Sequence, residues 1–88
     1  MTGAGNEKIR RSYDELKIHR TCLEEMIAEL DFKIKELLAR AKEFENDKPV
    51  TVRNCLLAAE RYRKRLNALK ASLALADAEL LRLLEILS

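Results

Sequence analysis

The sequence predicts an all-α fold, in which two long helices form an antiparallel coiled-coil hairpin that oligomerisation completes into a helical bundle or polymer. Composition is the first observation, because 88 residues that are 48% hydrophobic and 36% charged, with two glycines and one proline, are typical of long amphipathic helices. The second is that apolar residues recur at alternating spacings of three and four, as in a coiled-coil seam. The third is that a single group of helix-breaking residues interrupts this pattern near the middle of the chain.

The first helix is predicted over about residues 6–46, within a single hairpin domain that covers residues 1–88. Its apolar positions follow a regular alternation of four and three residues, and Arg20 is the only charged member. The predicted seam of this helix consists of Ile9, Tyr13, Leu16, Arg20, Leu23, Ile27, Leu30, Ile34, Leu37, Ala41 and Phe44.

A turn is predicted at residues 46–50, where the sequence reads ENDKPVT from residue 45. Asn46 and Asp47 favour turns, and Pro49 disfavours the helical conformation at the residue before it. Asp47 or Thr51 is expected to cap the second helix through its side-chain oxygen.

The second helix is predicted over about residues 50–87, again with seam spacings of three and four. Its seam consists of Val52, Cys55, Ala59, Tyr62, Leu66, Leu69, Leu73, Ala76, Leu80, Leu83 and Leu87. If the chain reverses at Lys48, residues whose numbers sum to 96 face each other, and every layer of one seam meets a layer of the other. The predicted flanking pairs of opposite charge are Lys17 with Asp77, Glu24 with Lys70, Asp31 with Arg63 and His19 with Glu79, whereas Lys33 faces the like-charged Arg65.

Several apolar residues lie outside the seam, which predicts an interface with a further helix or subunit. An isolated exposed leucine carries no meaning by itself, but residues 73–87 are apolar nearly all round the helix. The residues that we expect to contact other subunits are Ile18, Phe32, Leu75, Leu81, Leu84 and Ile86, and Leu57 is also off the seam.

A basic segment at residues 61–65 precedes the leucine-rich end of the second helix. A DNA-reading basic region would be free of seam residues, but here the seam continues through Tyr62 and Leu66, so no nucleic-acid partner is predicted. The basic residues instead predict an edge that contacts acidic lipid or an acidic partner, and the alternative is an ordinary solvated face. The residues of this predicted edge are Lys33, Arg40, Arg61, Lys64 and Arg65.

No catalytic, cofactor-binding or metal-binding pattern is present, so the sequence predicts neither an enzyme nor a small-molecule substrate. There is no glycine-rich phosphate loop and no HExxH motif, and His19 is the only histidine. Cys22 and Cys55 are expected to lie roughly 28 Å apart along the hairpin and to stay reduced. The chain has neither a signal-peptide core nor an uncharged run of membrane-spanning length, which predicts a cytoplasmic location.

The hairpin resembles the helix 1–helix 2 core of ESCRT-III proteins, the charged multivesicular body family, over residues 14–87. The first part of the likeness is LKIHRTCLEEMIAELDFKIKELLARAK, which is similar to the family's first helix. The second part is VRNCLLAAERYRKRLNAL and the later ELLRLLEIL, which are similar to its second helix.

This resemblance implies a subunit that polymerises on acidic membranes in membrane remodelling and endosomal protein transport, and that lies peripherally on those membranes. Family members are more than twice as long and carry a motif that recruits an AAA ATPase, which nothing here matches, so the expectation is a core fragment or a reduced member. The partners expected are itself or related helical subunits. The alternative function is a generic coiled-coil module that dimerises into a four-helix bundle within a scaffold or trafficking complex.

Overall fold

The protein consists of two long helices. The structure is a computed structural model that describes the backbone of residues 3–88 and the side chains of residues 5–88. Helix α1 spans Gly3–Glu43 and helix α2 spans Pro49–Leu87. The pattern predicts helices over 6–46 and 50–87, so α1 ends three residues earlier than expected and α2 begins one residue earlier. Met1 and Thr2 of the predicted hairpin domain lie outside the described residues.

The two helices pack side by side along their length in a hairpin about 70 Å long and 14 Å across. All eleven predicted seam positions of each helix are buried or half-buried. The central core is formed by Leu30, Ile34, Ala59 and Leu66, against which Ile27, Leu37, Tyr62 and Leu69 pack. These eight residues are four of the pairs whose numbers sum to 96, so the antiparallel hairpin predicted from the seam is confirmed.

The residue that caps the start of α2 differs from the prediction. The backbone N–H groups of Asp47 and Lys48 both donate to the carbonyl of Phe44, at 3.2 and 3.0 Å, which closes the end of α1. Lys48 occupies the N-cap position of α2 without a side-chain cap, and Pro49 follows inside the first turn. The expected cap by Asp47 or Thr51 is therefore wrong, because Pro49 makes Lys48 the extended residue before the helix.

Most ion pairs lie within a helix rather than between helices. The predicted cross-helix pairs of Lys17, Glu24, Asp31 and His19 with α2 do not form; Asp77, for example, pairs with Arg20 instead. Residues three and four positions apart on one helix face are held close by the backbone, and so they compete successfully for the same charges. The pairs within a helix are Arg20–Glu24, Glu29–Lys33, Asp31–Lys35, Glu60–Arg63 and Glu79–Arg82.

Candidate functional site

The hairpin exposes more surface than a compact protein of its size. Its accessible surface is 6845 Å², whereas a compact monomer of 10.1 kDa exposes about 5,300 Å². No large side chain of the described residues is completely enclosed, and the best-buried leucines retain 5–7% of their exposure. The hairpin thus exposes about 1,500 Å² more than a compact monomer, and this exposed surface is where a functional site is expected.

The predicted contact residues of α2 are all exposed. The most exposed are Leu75 at 73% and Leu81 at 63%, and Leu84 and Ile86 are about half exposed. Leu81 and Leu84 border a groove against α1, whereas Leu75 and Ile86 lie outside it. The structure therefore leaves these side chains available for contact, and their role in an oligomer stays a prediction.

An open groove of about 530 Å³ lies between the two helices near the free end of the hairpin. Its apolar wall consists of Tyr13, Leu80, Leu81 and Leu84, and its polar wall consists of Lys17, Arg20, Thr21 and Asp77. The groove is shallow and largely apolar, which suits a packed side chain better than a reacting substrate.

The two predicted contact residues of α1 lie on its outer face, well away from the α2 leucines. Ile18 is 67% exposed and Phe32 is 62% exposed. They are fourteen residues apart, which places them about 21 Å apart along the helix, with Glu25 between them. They are two isolated apolar side chains rather than a continuous surface.

The predicted basic edge is only partly assembled. Lys33 and Arg40 border one groove beside Tyr62, and Lys33 and Arg65 border the next beside Met26. The Lys33 ammonium lies 5.8 Å from the centre of the Tyr62 ring and 3.6 Å from the Glu29 carboxylate. Three of the predicted cations therefore share one edge of the hairpin.

The remaining two cations, Arg61 and Lys64, are exposed but border none of these grooves. Helical spacing places Lys64 on the outer face of α2, on the side away from the seam. Glu29 and Glu36 lie among the cations of the edge and reduce its positive potential. An anion at this edge would therefore meet only a weakly positive potential.

Four further apolar residues are exposed that the sequence pattern did not predict as contact residues. They are Met26, Leu38, Val50 and Leu56. Leu38 and Leu56 lie on the same flank of the seam. They occupy facing positions of the two helices, as Lys17 and Asp77 do, because both pairs of numbers sum to 94. Met26, Leu38 and Leu56 can be found from the sequence as apolar residues at flanking positions, where charged residues are usual in a coiled coil.

The ionisable groups give no sign of a reactive centre in the described part of the chain. Residues 5–88 contain no group of three or more His, Cys, Asp and Glu side chains suited to a metal ion. Cys22 is exposed and Cys55 is buried, and both are free thiols, as the register predicts. The hydrogen bond from Arg82 lowers the pKa of Glu79, and the bonds to Asp77 and Glu79 raise the pKa of Arg20 and of Arg82 respectively.

The chain matches no protein-family model, and neither a curated protein nor a solved structure is significantly similar to it. Neither described helix is long and apolar enough to cross a lipid bilayer.

Proposed function

We propose that the protein is a coiled-coil interaction module that acts by associating with a second copy of itself. The observation that carries this proposal is the exposed apolar surface of α2, where Leu75 and Leu81 are more than half exposed on a helix that already buries an apolar seam. A helix that is apolar on two sides is one that packs between two neighbours.

The energetics are compatible with association. Covering a leucine completely contributes about 1.5–3 kcal/mol, and in a symmetric dimer each contact residue is covered twice. Three such residues per chain, Leu75, Leu81 and Leu84, contribute at most about 9–18 kcal/mol, which is of the same size as the cost of association, about 4–15 kcal/mol. Burying them also adds stability to a small core, since a two-helix hairpin of this size is marginal alone.

Sedimentation equilibrium over a wide range of protein concentration tests the proposal. We expect the mass to rise from that of the 10.1 kDa chain to twice that value and then to stay constant. A monomer at every concentration would contradict self-association. A mass that keeps rising with protein concentration would indicate an open-ended polymer instead of a closed dimer.

A second candidate, an ESCRT-III-like subunit that assembles on acidic membranes, is favoured by a different observation. Among the described residues, Arg40, Arg61, Lys64 and Arg65 make no ion pair with their own chain. Cations without an internal partner are free to meet lipid phosphates, at about 1 kcal/mol for each residue near the surface.

Co-sedimentation with acidic and neutral liposomes at low and high salt tests this second candidate. We expect binding to acidic liposomes that weakens as salt screens the charges. The reversals Arg40→Glu and Arg65→Glu should abolish it, whereas Arg11→Glu and Arg53→Glu, which make the same change in net charge elsewhere on the surface, should leave most of it. Absence of binding to acidic liposomes at low salt would remove the membrane role and leave the interaction module.

A further inference from the structure

The outer side of α2 carries an uncharged surface in a chain that is otherwise rich in charge. This surface, which we name the α2 outer face, consists of Ala68, Ala71, Ala74, Leu75, Ala78 and Leu81. All six residues are exposed. Helical spacing places Ala71 and Ala78 along the centre of this face, with Ala68 and Leu75 on one side of it and Ala74 and Leu81 on the other. The outer positions of α1 and of the first part of α2 are mostly charged, so this face is not an ordinary solvated surface.

We propose that two copies of the protein pack antiparallel through the α2 outer face, about a two-fold axis that passes between Ala74 and Leu75. This inference rests on the proposed self-association and specifies its surface and orientation. Residues whose numbers sum to 149 then face each other, so that Ala71 lies opposite Ala78 of the second copy. The small side chains let the two helices approach closely, and the leucines of each copy pack beside the alanines of the other.

Charge distribution selects the second copy as the occupant and sets its orientation. The segment before the face, residues 60–65, contains four cations and one anion, whereas the end of α2, residues 84–88, has Glu85 as its one charged residue. On the proposed axis, residues 61–65 of each copy face residues 84–88 of the other, so the basic segment meets Glu85 rather than a second group of cations. A parallel arrangement would place like charges together, which is unfavourable.

Lys64 and Glu85 make this complementarity specific. Their numbers sum to 149, so the proposed axis places Lys64 of each copy beside Glu85 of the other. Among the described residues, neither side chain forms an ion pair within its own chain. The dimer would supply both missing partners.

Disulfide cross-linking at single introduced cysteines tests the axis and the orientation. In a Cys22→Ser background, Ala74→Cys should give a covalent dimer under mild oxidation, because the two thiols lie almost opposite each other. Ala68→Cys should not, because the two sites lie about 20 Å apart along the helices, beyond the reach of a disulfide. Cross-linking at both positions would indicate a parallel dimer, and cross-linking at neither would exclude this face.

Charge reversal tests the contact between Lys64 and Glu85 in solution. Lys64→Glu and Glu85→Lys should each raise the dimer Kd about tenfold, since each change replaces two attractive contacts by repulsive ones. The double variant, Lys64→Glu with Glu85→Lys, should return the Kd to the value of the original protein. A double variant that dimerises no better than the single ones would overturn the antiparallel pairing.

Leu75→Asp tests the apolar part of the interface and should raise the Kd about a hundredfold. Leu57→Asp is the matched control, because Leu57 is also exposed on α2 but lies before the face. The outcomes separate the two proposals. A chain that is monomeric throughout contradicts self-association itself. A dimer that forms normally despite Leu75→Asp, and that gives no cross-link at residue 74, contradicts only the assignment to this face.

Discussion

Arg20 of α1 donates a hydrogen bond to the carboxylate of Asp77 in α2, and within residues 5–88 no other ion pair joins the two helices. Arg20 also donates to Glu24 at 2.9 Å. The arginine occupies a seam position opposite Ala76, where an apolar residue would pack. A single charged residue in a seam fixes the register of the helices at a cost in stability.

Replacing Arg20 by leucine should therefore stabilise the hairpin. A leucine in the seam contributes about 1.5–3 kcal/mol when fully buried, whereas an exposed ion pair contributes only about 0.2–1 kcal/mol. We expect Arg20→Leu to raise the free energy of unfolding by about 1 kcal/mol, which corresponds to a Tm increase of about 4–8 °C for a domain of this size. Circular dichroism at one fixed protein concentration measures it. Arg11→Leu, at an exposed position outside the seam, should leave the Tm unchanged, and a fall in the Tm of Arg20→Leu would contradict the argument.

Leu66 should be among the most sensitive positions in the protein. It is 6% exposed and packs in the central core with Leu30. Leu66→Ala removes buried methyl groups and should cost about 2–5 kcal/mol, which is a large share of the stability of a small domain. Leu57→Ala makes the same chemical change at an exposed site and should cost less than about 0.5 kcal/mol. Urea unfolding of the two variants compares them directly, and equal midpoints would contradict the assigned core.

The seam could be predicted from the sequence because its period is set by the helix itself. Once Leu30 and Leu66 are placed in one layer, the alternation of three and four residues assigns every other layer, and the structure follows that assignment. The chain reversal before Pro49 could be predicted for the same kind of reason, because proline restricts both itself and the residue before it. Both features depend on the local backbone geometry, which is set by the residue types themselves.

The flanking charges could not be predicted in the same way. Asp77 bonds to Arg20 rather than to Lys17, and Asp31 bonds to Lys35 rather than to Arg63. Long charged side chains have several partners within reach, and the energies that separate the choices are a fraction of a kcal/mol. The sequence therefore indicates which residues lie on a flank, but not which of them pair.

The start of α2 offers a stabilising change. Lys48 occupies the N-cap position without a side-chain hydrogen bond, and the first turn of α2 has no acidic residue. Lys48→Asp would supply a capping oxygen and a negative charge beside the positive end of the helix dipole, for a gain of about 1 kcal/mol. Lys42→Asp, which puts the same change in the last turn of α1, should lower the stability instead. A thermal melt that ranks these two variants in the opposite order would contradict the observed helix boundary.

The two thiols should differ sharply in reactivity. Cys22 is exposed on α1, whereas Cys55 is buried in the seam opposite Ala41. We expect a thiol reagent such as DTNB to modify one thiol quickly in the folded protein and the second only as the hairpin opens. Cys22→Ser should remove the fast phase, and a denaturant should make Cys55 react quickly. Two fast thiols in the folded protein would contradict the burial of Cys55.

Glu79 should contribute to the loss of stability in acid. Arg82 donates to Glu79 at 2.9 Å, and this hydrogen bond lowers the pKa of Glu79 in the folded protein. A carboxyl group with a lowered folded pKa stabilises the protein above its unfolded pKa of about 4.3, and that contribution is lost as the pH falls through the folded value. We therefore expect Glu79→Gln to lower the Tm at neutral pH and to have little effect at a pH below both values. Glu25→Gln is the control, because Glu25 forms no ion pair among the described residues. Thermal melts of both variants across the acid range measure the difference, and a Glu79→Gln effect that is the same at every pH would show that the charge of Glu79 is not its cause.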